Sequence, residues 1–114
     1  MLPKENRLRK EKDHNKVYKK GHRYTCPFFV LLSLPRENKE LPSRFSFVVS
    51  KKVDKRAVAR NRIRRVLKES VRAKLPKIIN GYDCIVIGRK DVLGLGVKDI
   101  LPTVVSVFMK AGLL

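Results

Sequence analysis

Residues 28–34 read Phe28-Phe29-Val30-Leu31-Leu32-Ser33-Leu34, an apolar run of strand length closed by Pro27 before it and Pro35 after it. This predicts a buried strand. The polar stretch from Pro35 to Ser43, with prolines at 35 and 42, predicts a loop. Arg44 to Ser50 then alternates, with Phe45, Phe47 and Val49 on one face and Arg44, Ser46, Val48 and Ser50 on the other. These two strands are expected to pair antiparallel. From Asp54 to about Leu75 the period lengthens to that of a helix, and Ala59, Ile63, Val66, Leu67 and Ala73 fall on one apolar stripe, with Val71 and Leu75 drifting off it. Asn61, Arg65, Lys68 and Arg72 occupy the opposite face, flanked by Arg60 and Arg64 on one side and Arg62 on the other. Pro76 and the Asn80-Gly81 pair stop this helix, and Tyr82 to Gly88 predicts a third strand.

Two shorter helices complete the pattern. Asp13 is expected to cap a helix running to about Lys20, with Val17 as its apolar contact and Gly21 supplying a left-handed end. Beyond the loop marked by Gly94 and Gly96, a last helix is expected over about Asp99 to Lys110, with Leu101, Val104, Val105 and Phe108 facing the core. Pro102 fits such a helix only in its first turn. The order helix-strand-strand-helix-strand-helix describes an α+β or small α/β sandwich. A strand joined through a long helix to the next strand also matches a parallel crossover unit. At 114 residues the chain fits one domain, residues 1–114, with a basic, flexible segment over about residues 1–12.

Charge narrows the function. With 28 Lys and Arg against 10 Asp and Glu, the formal net charge is +18. A surface so basic repels itself unless a polyanion neutralises it, while a hydrophobic fraction of 43% is enough to drive folding. The charge is concentrated: residues 1–24 hold nine bases and three acids, and residues 51–77 hold twelve bases and two acids. Between Lys55 and Lys74 nine cations meet only Glu69, an array that phosphate would relieve. Arginine suits that role because its planar fork bonds phosphate oxygens in pairs and stays charged, and Asn61 adds a neutral donor and acceptor between two such forks.

Other chemistries find little support. Cys26 and Cys84 stand apart, without metal-ligand spacing or a disulfide framework, and read as two reduced, buried thiols. Neither a secretory leader nor a membrane span is visible, so a cytoplasmic location without membrane contact is expected. The acids are scattered, the histidines His14 and His22 lie in the basic amino-terminal block, and no glycine loop carries a phosphate-binding signature. Catalytic residues and a protein-held metal are therefore not expected. A basic ribosomal or RNA-chaperone protein would fit the same helix, whereas a DNA-binding architectural protein lacks a helix-turn-helix pair.

The segment Ala57 to Glu69, AVARNRIRRVLKE, preceded by Ser50-Lys51-Lys52, resembles the signature helix of the bacterial ribonuclease P protein family, with its Arg-Asn-Arg motif at Arg60-Asn61-Arg62. The resemblance extends in order over nearly the whole chain, through Asn6-Arg7-Leu8, Asp13…Val17-Tyr18…Gly21, Phe29-Val30-Leu31 and Arg89-Lys90. It implies a small αβ sandwich of ribosomal-S5-like type with a left-handed parallel crossover. It also implies an accessory subunit for a catalytic RNA that hydrolytically removes the 5′ leader of precursor tRNA. On this resemblance Arg60, Asn61, Arg62, Arg64, Arg65 and Lys68 would face the catalytic RNA. His14, Tyr18, Lys51, Lys52, Arg89 and Lys90 would line a cleft for the leader. Magnesium is implied in the holoenzyme, held mainly by RNA, and the catalytic RNA and precursor tRNA are the implied partners, with no obligate protein partner. The family commonly has aromatic residues where this chain has His14 and Leu32. Tyr18, read from the residues alone, fits a core aromatic beneath the sheet equally well.

Overall fold

In the computed structural model, which describes residues 2–114, seven regular elements follow one another. They are α1 (Glu11–Lys20), β1 (His22–Thr25), β2 (Phe29–Pro35), β3 (Arg44–Val48), α2 (Ala57–Lys74), β4 (Tyr82–Gly88) and α3 (Val97–Lys110). The strands form one sheet in the order β1-β2-β4-β3. β2 and β4 are antiparallel, whereas β3 and β4 are parallel and joined through α2, so the crossover unit is present. The expected antiparallel pairing of β2 with β3 does not occur, because β4 lies between them. The reason is burial. Phe29 to Ser33 in β2 and Asp83 to Val86 in β4 are buried on both faces, which suits interior strands, while β3 alternates and takes an edge. The opposite edge, β1, was not expected at all: His22-Arg23-Tyr24-Thr25 carries no apolar signal, and it forms because β2 offers it an unpaired backbone edge.

The sheet separates two cores. One face, with Phe29, Leu31, Phe45, Cys84 and Val86, packs against α2 and α3, and Phe45 stacks on Phe108 with ring centroids 6.0 Å apart. The other face, with Val30, Leu32 and Ile85, is covered by Val17 of α1 and by Leu8. The molecule is therefore an αβ sandwich of three layers, α1 over the sheet over α2 and α3. The first residues, expected as a flexible arm over about 1–12, lie against this body: Leu2 and Leu8 are buried, Leu8 N–H donates to the Phe45 carbonyl at 2.9 Å, and Arg7 bridges Phe45 in parallel. Residue 1 lies outside the described residues.

Several helix expectations need correcting. α1 starts at Glu11 after Lys10, so Asp13 sits in its first turn and does not cap it. Gly21 has φ −66°, an ordinary conformation. Glycine is needed there for space, since a Cβ would stand 2.5 Å from the Val17 carbonyl oxygen. On α2 the buried stripe is Ala59, Ile63, Leu67, Ser70 and Val71, and Ala73 is exposed. Ser70 joins the stripe because its hydroxyl donates to the Val66 carbonyl at 2.8 Å and needs no water. α3 begins at Val97, and its buried residues are Ile100, Val104, Val107 and Phe108, with Leu101 and Val105 only half-buried. Pro102 therefore falls in the second turn. It is tolerated because Pro102 and Lys98, whose carbonyl loses its helical donor, are exposed to water. Cys84 is buried, and burial pushes its thiol up to about 12, but Cys26 is only half-buried.

Candidate RNA interface

α2 is amphipathic because its apolar residues return every three or four positions, and the residues between them are almost all cationic. Its outer face carries Asn61, Arg62, Arg65 and Lys68, all exposed. Among the described residues Arg62, Arg65 and Lys68 have no hydrogen-bond or ion-pair partner. At about 1.5 Å rise per residue they span roughly 9 Å of helix, a row open to an incoming anion. Arg64 is half-buried and its guanidinium donates to Asn61 Oδ1. Arg60 is also half-buried and turned inward, with Nη1 donating to the carbonyls of Asp54 at 3.0 Å and Lys55 at 2.9 Å. The six residues expected on this helix thus divide into an open row of three, Arg62, Arg65 and Lys68, and three side chains already engaged by the protein, Arg60, Asn61 and Arg64.

The second candidate set lies across the sheet. Because β3 and β4 run parallel with Val48 opposite Ile87, both chains leave the sheet at the same end. Lys51 and Lys52 occupy the turn after β3, and Arg89 and Lys90 follow β4; all four are exposed. On the α1 side of the sheet, Val48 and Ile87 are only half-buried and form an apolar floor leading to that end. His14 and Tyr18, four residues apart on α1, share one side of that helix. His14 Nε2 lies 2.8 Å from Ser46 Oγ of β3, and its Nδ1 lies 2.9 Å from the Lys10 carbonyl oxygen. Tyr18 is 50% exposed, which excludes a core aromatic.

Sequence reading missed what seats α1. Arg44 and Asp83, partners across β3 and β4, form a two-pronged ion pair with both bonds at 2.7 Å, and Asp13 of α1 approaches the same guanidinium at 3.5 Å. The bonds to Asp83 hold the Arg44 guanidinium above its ordinary value. Neither residue stands out in the sequence, because their pairing depends on β3 and β4 being neighbours. A recess of about 270 Å³ beside the β3 edge, between Arg7, Leu8, Arg9, Phe47 and Lys68, was likewise not legible. The described residues contain no group of three or more His, Cys, Asp or Glu side chains placed to hold a metal ion, and no helix long and apolar enough to cross a membrane.

A three-layer αβ sandwich with an open cationic row on one side and four basic side chains at the end of its sheet is a polyanion-binding module. The sequence profile of the family described as Ribonuclease P matches residues 2–112, and the chain belongs to that family. It is similar to the ribonuclease P protein component of Clostridium botulinum strain Loch Maree, at 38% identity over 96% of this chain and 97% of the relative. The component from Microcystis aeruginosa is 34% identical over 99% and 96%. Among solved structures, a Staphylococcus aureus RNase P protein mutant with defective mRNA degradation activity superimposes with a TM-score of 0.80 at 31% identity, covering 96% of this chain and 90% of that one. The RNase P protein from Thermotoga maritima gives 0.68 at 27% identity, covering 92% and 93%. The chain is thus an accessory protein subunit of the ribonucleoprotein endoribonuclease.

Proposed function

We propose that this subunit binds two RNAs on opposite sides of its sheet. The open row on α2, Arg62, Arg65 and Lys68, takes phosphates of the catalytic RNA. The α1 side, with His14, Tyr18, Lys51, Lys52, Arg89 and Lys90, takes the single-stranded 5′ leader of precursor tRNA. The observation that carries this reading is the placement of α1 and α2 on opposite faces, each beside basic side chains, so that neither RNA obstructs the other. The protein's contribution is electrostatic and positional: Lys and Arg neutralise phosphates as Tyr18 stacks an unpaired base. In this reading the holoenzyme's magnesium is held mainly by the RNA. The working compartment is the cytoplasm.

Reconstitution tests the proposal. Mixed with the catalytic RNA and magnesium at limiting concentration, the protein should stimulate cleavage of precursor tRNA at the mature 5′ end, and alone it should cleave nothing. A ribosomal or RNA-chaperone protein would leave the rate of specific cleavage unchanged. Specific cleavage by the RNA-free protein, with a mock purification as control, would overturn the division of labour.

A further inference from the structure

The first arginine of the Arg-Asn-Arg motif faces differently from the rest of the row. Arg60 lies about 100° around the helix from Ala59, at the border of the buried stripe, and is half-buried. Its Nη1 serves two backbone carbonyls, those of Asp54 and Lys55, in the segment that joins the Lys51-Lys52 turn to α2. This segment needs holding. It carries Lys51, Lys52, Lys55 and Arg56, followed directly by the positive end of a helix with no acid in its first turn and no side-chain cap.

Three local devices resist that repulsion. Val53 N–H donates to the Ser50 carbonyl at 3.1 Å and closes the turn. The Asp54 carboxylate accepts from Arg56 N–H at 2.9 Å, Nε at 3.0 Å and Nη2 at 2.9 Å. These bonds, helped by the charge of nearby Lys90, hold its carboxyl at about 2 and keep it ionised. Arg60 is the third: its side chain ties the Asp54 and Lys55 backbone to the body of α2. Lys51 and Lys52 lie in the turn just before Asp54, Lys90 follows β4 at the same end of the sheet and lies near enough to act on the Asp54 charge, and Arg60 clamps the Asp54 backbone.

We infer that Arg60 is a positioning residue for the leader surface and not a contact to the catalytic RNA: it fixes the 50–56 segment so that Lys51 and Lys52 stand beside Lys90. This inference rests on the two-surface reading above. It separates Arg60 from Arg62, two residues away, whose guanidinium has no protein partner among the described residues.

Two quantities measured on the reconstituted holoenzyme decide it: the salt dependence of protein binding to the catalytic RNA, and the ratio of holoenzyme affinities for precursor and mature tRNA. Arg62→Ala should lower the log-log salt slope by about 0.7–0.9, the loss of one phosphate contact, and leave the ratio unchanged. Arg60→Ala should leave the slope unchanged and reduce the ratio roughly 2- to 10-fold, the worth of a lost hydrogen-bonded tether. General unfolding would remove the leader surface and lower the ratio too, but it would also weaken binding to the catalytic RNA, so a lowered ratio with unchanged affinity for that RNA isolates positioning. Arg60→Met keeps the packed stem but not the donors, and should behave as Arg60→Ala does; it replaces that variant if a thermal melt shows Arg60→Ala to be unfolded. A slope reduced in the Arg60 variants as in Arg62→Ala, with the ratio unchanged, overturns the inference while the two-surface reading stands. An unchanged slope in Arg62→Ala as well overturns that reading and this inference together.

Discussion

Tyr18 shows how a single residue divides between sequence and structure. The side chain is amphipathic, so its identity fits either a core position or an RNA contact, and its half exposure on α1 excludes the first. With Tyr18 stacking one leader base, Tyr18→Ala should weaken binding of precursor tRNA by about 1–3 kcal/mol and barely alter binding of mature tRNA. Equal weakening of the two, measured by filter binding to the holoenzyme, would remove Tyr18 from the leader surface. Arg60 is a second case. The motif that marks it as a cationic RNA residue is local, but its inward hydrogen bonds depend on where the 50–56 segment returns to α2.

At the scale of elements, the close seat of α2 on the sheet is set by Gly88, the last residue of β4. A Cβ there would stand 2.8 Å from Ile63 Cγ2, 2.9 Å from Val49 Cγ2 and 3.1 Å from Leu67 Cδ1, with no open space to take it. Gly88→Ala should therefore destabilise the fold by about 1–3 kcal/mol through overpacking. Urea unfolding should show a lower midpoint with an unchanged slope; an unchanged midpoint would mean that α2 shifts freely, contrary to a well-packed seat. The extent of α2 and β4 was legible because 18 residues at helical period and a 7-residue apolar strand are long local signals. β1 and the start of α3 were not, since one borrows its partner from β2 and the other starts where Gly96 N–H can donate to Asp99 Oδ2, at 2.9 Å.

For the whole molecule, a formal charge of +18 sets the conditions of stability. The folded state gathers these charges more closely than the unfolded chain does, so bound anions favour it. Sulfate should raise the Tm more than chloride at equal ionic strength, and a short RNA should do so at far lower concentration. Equal shifts for the two salts would mean that screening alone acts and that no anion is bound. By itself the sequence determined the strands and helices of high periodicity, the basic face of α2 and the family, because each is written in residues a few positions apart. Only the tertiary structure decided the order β1-β2-β4-β3, the pairing of Arg44 with Asp83 that seats α1, and the recess beside the β3 edge. Strand order follows from which apolar faces must be buried twice, a comparison between segments some fifty residues apart such as β2 and β4, which no local period records.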